Sequence, residues 1–581
     1  MKMIVNGKEK RNLPIGIDNF ETMIQKDYYY FDKTGLIEEI LKSGASRMLF
    51  TRPRRFGKSL NMSMLKYFFN IENKDENRKL FENLYISKSK YFDRQGQNPV
   101  IFISFKDYEE TNWEDGYRSI KSEIGDVYNQ FEFLREHLSE KHLRDFDAIW
   151  LENKGDYVKA LLDLSRFLYE YYGKKVILLI DEYDKPIIKA HVNGYYNEII
   201  NFFKKFFEKS VKGNDYVEIT VMTGILRIAK EGIFSGLNNL EVHTVLEQDY
   251  NEYFGILENE VEEALKYYNL DFEINEVKKW YNGYLFGNRN IYNPWSVVNF
   301  LRFRELKEHW INTSSNDEIM NYLENSDENI IFDFERLLGH ESIRKEIYDY
   351  VTFQDIDYAL NLNRNSYGFE IREDSPNYQY YVNDFARGNI WQFFLHSGYL
   401  TIDKKVSKNV YDLKIPNEEI FDFFKIRFLY RTYGGHYKFS LLGEYLMKGD
   451  YEKFRNEIRI LLKNSVSFRD LKEENSYHLF VMGIVAVMYE EYYIKSNSES
   501  GDGLPDLMLK PRNKKNKAFI FEFKHSKAKD SKNLKRTAKS ALKQINDRNY
   551  ADGLKHEGYE NIVKIGMGFR KKDVEVVVEE G

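Results

Sequence analysis

No cysteine occurs anywhere in the 581 residues, which excludes a disulfide framework, thiolate zinc sites and cysteine nucleophiles together. Any metal must therefore be held by oxygen or imidazole. Long apolar runs are missing too. None approaches the ~20 residues a bilayer span requires, and the opening MKMIVNGKEKRNLP has no apolar stretch of the secretory kind. The expected location is the cytoplasm, with no membrane partner. Net charge is low for this length, −6 at pH 7, so the chain as a whole does not attract nucleic acid. Locally the balance shifts. Between Leu507 and Lys555, basic residues such as Lys527, Lys529, Lys532 and Lys535 face only Glu522, Asp530, Asp547 and Asp552. Such a stretch either tracks phosphates or forms a solvated, lysine-rich surface, and charge alone does not choose.

What is present is enough apolar material for real cores, 42% of residues, beside 31% charged. The length predicts several folding units. The first third alternates apolar runs with helical stretches, as in an α/β domain with a parallel sheet. Its expected strands are Arg47 to Thr51, Val100 to Phe105, Val176 to Ile180, Val217 to Thr223 and a shorter Glu241 to Val245. Near-continuous apolar character suits strands covered on both faces. From Asp249 to Asp450 the pattern is mostly helical, broken by WYNGY at Trp280 to Tyr284 and YNPWS at Tyr292 to Ser296, to which no chemistry is assigned. A helix is expected through Tyr477 to Tyr493. A hairpin of Asp506 to Leu509 with Ala518 to Phe523 and a helix from Asn533 to Arg548 follow. The expected domains are 1–248, 249–450 and 451–581.

The segment MLFTRPRRFGKSLNMSMLKYFF runs from an apolar strand through a turn into GKS and a helix. Amides of such a turn and helix N-terminus bind phosphates, Lys58 reaches the β and γ oxygens, and Ser59 can ligate Mg2+. Arg54, Arg55, Phe56, Gly57 and Leu60 complete the expected nucleotide-binding loop. The usual pattern carries a leading glycine where this chain has Arg52. A second motif, VILLIDEYD, delivers Asp181 at a strand end to the magnesium shell and Glu182 as the base for the attacking water. Thr223 could sense the γ-phosphate or the attacking water. Arg227, three residues past Gly224, is a candidate for stabilising transition-state charge in the same or a neighbouring subunit, which allows a homo-oligomer.

RPRRFGKS, LLIDEYDKPI, LPIGIDNFE with YFDKT, and TGILRIAKEGIFSGLNN resemble the bacterial AAA-ATPase-like family over roughly residues 13 to 300. The resemblance implies an additional-strand P-loop ATPase that binds and hydrolyses ATP. It also implies that the Thr223 strand lies between the strands bearing the two phosphate motifs, and that the missing leading glycine is common.

Near the C-terminus, Asp506 opens one expected strand while Glu522 and Lys524 alternate on the next, so these two share a face and pairing brings Asp506 beside them. Two carboxylates so placed suit Mg2+ or Mn2+, and the lysine can position water or phosphate. EENSYHLFVMGIVAVMYEEYYIKSNSESGDGLPDLML, FIFEFKHS and ALKQINDRNY resemble the PD-(D/E)XK nuclease superfamily over roughly Lys472 to Phe569. The resemblance implies metal binding by Asp506 and Glu522, catalysis by Lys524, and support from Glu474 and Gln544. Gly503, Leu504 and Pro505 replace the basic residue usual before the aspartate. His478 reads as a half-buried helix histidine, not a ligand. The expected function is an ATPase joined to a metal-dependent nuclease, with DNA expected ahead of RNA. The rival is a signalling or scaffold ATPase whose nuclease-like domain binds nucleic acid or protein without cutting.

Overall fold

The structure is a computed structural model that describes residues 3–5, 8–151, 154–228, 233, 239–310, 328–338, 340–359, 386–424, 436–465, 477, 481, 485, 488, 491–496, 503–526 and 532–580. The chain forms two compact units, Met1–Phe421 and Asp422–Gly581.

The first unit is built around a five-stranded parallel sheet. Its spatial order is Val100–Ser104, Val176–Asp181, Val217–Gly224, Arg47–Thr51, Glu241–His243. All five strands expected from the apolar runs are present, and the Thr223 strand does lie between the strands of the two phosphate motifs. Every residue of Val176–Asp181 is buried, as a central strand with both faces covered requires. Register aligns the C-terminal ends: Ser104 pairs with Asp181, Phe50 with Thr223 and Thr51 with Gly224. Loops leaving those ends share one crevice, where ligands of open α/β sheets bind.

The middle is helical, with strands besides: a hairpin of Tyr284–Phe286 and Arg289–Ile291, and a three-stranded antiparallel sheet of Ile343–Glu346, Val410–Lys414 and Thr401–Lys405. Asn293 caps the helix Pro294–Phe303, accepting from Ser296 N at 3.2 Å, with proline in the first turn where its missing N–H costs nothing. The YNPWS motif is thus a helix start.

The second unit has a mixed five-stranded sheet in the order Tyr492–Ser496, Leu507–Pro511, Ala518–His525, Ile562–Arg570, Asp573–Glu580. Only the pairing of Ala518–His525 with Ile562–Arg570 is parallel, and the helix Lys532–Asp547 lies in that crossover. The expected helix through Tyr493 is corrected at its end. Tyr492–Ser496 is a strand, paired antiparallel with Leu507–Pro511, with Tyr492 buried in the core. An aromatic and β-branched YYI run fits a pleated, half-buried edge better than a helix interior. The remainder of that expected helix lies largely outside the described residues.

Glu419 ties the helical middle together. Its carboxylate is buried and accepts from Ser296 Oγ at 2.7 Å, His309 N at 2.6 Å and Trp310 N at 2.5 Å. Burial outweighs these three donors and pushes the carboxyl up to about 7. The folded chain then holds this proton more tightly than the unfolded one, so the stability contributed is full below the ordinary glutamate range and lost as pH rises through about 7. All six tryptophans lie in this unit, so their fluorescence reports it alone. In urea denaturation followed that way, Glu419→Gln should match wild type near pH 4 and be the more stable at pH 8, by up to roughly 3 kcal/mol. A difference constant with pH would place the carboxyl in its ordinary range.

Candidate functional site

The helix Lys58–Phe69 begins directly after the Arg47–Thr51 strand and its turn, and Gly57 at its N-cap has φ 81°. That left-handed conformation is strained for any side chain and free for glycine. Arg55, two residues earlier, takes φ 69° despite its side chain. The turn therefore curls tightly and leaves the first helical amides without a capping side chain, facing the crevice with the positive end of the helix.

Lys58 is buried, 4% exposed. Its ammonium donates to the carbonyls of Arg52 and Pro53, each at 2.9 Å. An ammonium has three N–H donors, so this anchoring leaves one to aim at a phosphate oxygen. Burial lowers its pKa, opposed by the charges of Glu182, Asp184 and Asp181. Glu182, at φ 50°, has a raised pKa, from burial first, with Lys58 opposing. Thr223 Oγ1 donates to Asp181 Oδ1. Asp181 Oδ2 is buried with no hydrogen-bond partner among the described residues. An orphaned carboxylate oxygen in the crevice that also receives the Lys58 turn and the neighbouring Ser59 is a donor set that fits Mg2+.

Two loop side chains do not face the crevice alone. Phe56 is fully buried, with ring centroids 5.0 Å from Tyr284 and 5.2 Å from Phe286. The exposed Arg55 guanidinium stands 4.3 Å over the Trp295 ring, whose Nε1 donates to His309 O at 3.0 Å. Arg54, Ser59 and Leu60 are partly exposed on the same turn. Arg52 explains the departure from the glycine pattern. Its side chain is fully buried, donating to the carbonyls of Thr51 and His243 at 2.8 and 2.7 Å, with Phe254 and Phe286 rings 5.1 and 5.5 Å away. Burial lowers the guanidinium to about 9. Arg52 therefore braces the strand ends from beneath the turn.

Arg227 is ion-paired with Asp349, and its carbonyl accepts from Val351 N at 2.9 Å. Sequence reasoning missed three contributors to this site: Tyr183, Asp184 and Trp295. The first two were visible as the DEYD spacing after a buried strand; nothing in the chain marked Trp295 as a neighbour of Arg55.

In the second unit, Leu507 pairs with Phe521, which places Asp506 at the register position facing Glu522. Asp506 Oδ2 accepts from Phe523 N at 2.6 Å. Glu522 is buried and accepts from Gln544 Nε2 on the helix Lys532–Asp547. Lys524, two residues on along the same strand face, is half-buried. Two backbone- and amide-steadied carboxylates suit a hard divalent cation completed by water, although no group of three potential ligands forms among the described residues. Glu474 and His478 lie outside the described residues. The basic run is partly neutralised from beyond its own segment: Lys510 pairs with Glu557 at 2.6 Å and Lys517 with Glu580 at 2.7 Å. Lys535, Arg536 and Lys539 stay exposed on one helix.

A parallel sheet with a glycine turn leading into a helix, an acidic strand end and a threonine-bearing strand between them is the fold of the additional-strand class of P-loop ATPases. Comparison with known proteins agrees: residues 14–234 match the family described as Predicted AAA-ATPase. Residues 472–579 match the PD-(D/E)XK nuclease superfamily. The chain therefore has the architecture of an AAA-ATPase-like domain followed by a PD-(D/E)XK domain. It is also 28% identical over 313 residues to a protein of Azotobacter chroococcum mcd 1 described as an uncharacterized protein in the vnfD 5' region, covering 53% of this chain and 55% of that one. The chain thus matches about half the length of this curated relative.

The Arg227–Asp349 pair is testable without substrate. Both side chains are about one-third exposed, 33% and 35%, so a double-mutant cycle with alanine at each position should return a coupling of about 1 kcal/mol that shrinks at high salt. A coupling of zero would mean that Arg227 is not held there in solution.

Proposed function

We propose that this protein binds and hydrolyses ATP with Mg2+ in the crevice of its first unit, and that its C-terminal domain cleaves nucleic acid, DNA ahead of RNA, with Mg2+ or Mn2+. The modules we assign are residues 1–248 for the ATPase, 249–450 for a helical lid or linker, and 451–581 for the nuclease. One observation carries the ATPase reading: Lys58, Glu182 and the Thr223–Asp181 hydrogen bond meet at the aligned ends of three adjacent strands.

Each residue has a distinct task. Lys58, braced on two loop carbonyls, spends its remaining donor on the β and γ oxygens. Amides of residues 54–60 cradle the phosphates. Ser59 and Asp181 would hold Mg2+, which when bound neutralises developing charge on the β–γ bridge. Glu182, its proton affinity raised by burial, accepts the proton of the attacking water. Thr223, oriented by Asp181, fixes that water or the γ-phosphate. Arg227 would add charge stabilisation in its own or a neighbouring subunit after exchanging Asp349 for phosphate.

In the C-terminal domain Asp506 and Glu522 would hold the divalent cation, which supplies Lewis acidity at the scissile phosphate. Gln544 holds the Glu522 carboxylate in place, and Lys524 steadies the water or the phosphate. Lys535, Arg536 and Lys539 offer contacts to the backbone of the nucleic acid without reading its sequence.

Lys58→Ala should weaken ATP binding at least tenfold, whereas Glu182→Gln should bind ATP normally and lose turnover by roughly 100-fold or more. Nucleotide titration and phosphate release separate the two, and a Glu182→Gln protein with wild-type hydrolysis would remove Glu182 from its role. For the second domain, Asp506→Ala and Glu522→Ala should abolish metal-dependent cleavage of labelled DNA yet keep salt-sensitive binding. Wild-type protein that binds DNA but cuts neither DNA nor RNA, with Mg2+ or Mn2+ and with or without ATP, would establish the signalling or scaffold role instead.

A further inference from the structure

We propose that Asp184 is a positioning residue for hydrolysis, tethering the end of the Thr223 strand to the turn that carries Glu182. The inference rests on the ATPase reading of this crevice and concerns a residue that touches no phosphate.

The sheet alone does not fix the two groups. Ladder pairing between Val176–Asp181 and Val217–Gly224 ends at Ile180 with Met222. Beyond it Asp181 still pairs with Ser104 and Gly224 with Thr51, each on its outer side, but no ladder joins the two strands to each other where Glu182 follows one and the loop to Arg227 follows the other. Asp184 bridges them. Its carboxylate is 1% exposed, and Oδ2 accepts from both Ile225 N and Leu226 N at 2.7 Å. Tyr183 repeats the connection: its N–H donates to Thr223 O at 3.0 Å, its hydroxyl donates to Leu226 O at 2.6 Å, and that hydroxyl accepts from Ile228 N at 3.2 Å.

Gly224 is where the two segments come closest. A Cβ there would stand 2.7 Å from Asp184 Oδ1 and 2.7 Å from Tyr183 Cε1, so only glycine permits the contact. The tether also bears on backbone strain. Glu182 holds φ 50°, a conformation that survives in a bulky residue only when its neighbours over-determine it. Asp181, Tyr183 and Asp184 are all anchored to the Thr223 strand or the loop after it. Burying a carboxylate where an amide could have stood costs stability, and its pKa is raised to about 6 by that burial despite the two amide donors. Geometry at the reaction centre is a reason to retain it, since displacing a catalytic group by ~1 Å can cost on the order of 100-fold in rate.

The test uses the full chain, ATP and Mg2+, and reads kcat and nucleotide affinity separately. Asp184→Ala should lower kcat about 10- to 100-fold with ATP affinity within about threefold. Asp184→Asn keeps an oxygen able to accept both amides and should recover to within several-fold of wild type. Gly224→Ala, which forces the segments apart, should reproduce the loss. Where Asp184→Ala fails to fold, Tyr183→Phe keeps the ring, removes both hydroxyl bonds and should slow turnover by roughly 3- to 10-fold. Wild-type kcat in the folded variants, a loss confined to ATP binding, or an asparagine variant as slow as alanine would each overturn the tether while wild-type turnover stands. Wild-type protein that hydrolyses no ATP would overturn the ATPase reading and the tether with it.

Discussion

Insertion of Val217–Gly224 between the two phosphate-motif strands is the constraint on which the ATPase crevice depends. Hydrogen-bonded register is discrete, because a one-residue slip would send every side chain to the opposite face. With Phe50 beside Thr223 and Ile180 beside Met222, the threonine hydroxyl lands on Asp181 and the turn bearing Lys58 opens next to both. No flexible loop has to find this arrangement. Parallel strands buried on both faces hold Asp181 and Thr223 at their ends, with Glu182 one residue past its strand and Lys58 seven past Thr51, across the turn.

Charge burial is the second organising fact. Lys58, Arg52, Asp181 and Asp184 are all buried near these strand ends, an arrangement that is costly for isolated ions and tolerable when each has hydrogen bonds or opposite charge nearby. The two cations are handled differently. Lys58 stands among three carboxylates, whereas Arg52 relies on backbone carbonyls and aromatic rings. The middle region supplies much of that aromatic floor: Phe254 and Phe286 beneath Arg52, Tyr284 and Phe286 against Phe56, and Trp295 under Arg55. The helical middle thus supports the turn that leads into the Lys58 helix, a role that nothing local in its residues marks.

In the C-terminal unit the same logic works with an antiparallel pair. Asp506 lies one residue outside its strand, and its carboxylate closes on the N–H of Phe523, between Glu522 and Lys524. The helix Lys532–Asp547 brings Gln544 to Glu522 from the far side. Three segments separated by up to 38 positions in the chain, at Asp506, Glu522 and Gln544, therefore meet at one edge because the helix packs across the strand it follows.

Periodicity and motif spacing were enough to read the parallel strands, the glycine turn before the Lys58 helix, the acidic strand end and the paired carboxylates near the C-terminus. Each of these is a local property: unbroken apolar runs specify buried strands, and a short spacing decides which side chains share a face or a turn. The same reading failed where pairing overrode local pattern. Tyr492 carried helical periodicity and became a strand because a partner edge was available to it. Charge counted along the basic run missed Glu557 and Glu580, which reach Lys510 and Lys517 only after folding. Likewise Arg52, Trp295 and Asp184 acquire their places from contacts across 191, 240 and 42 positions, to His243, Arg55 and Leu226 respectively. A chain announces in its own order what neighbours along it can do; which distant side chains share a buried space is decided by packing, because burial and charge compensation are properties of the closed structure.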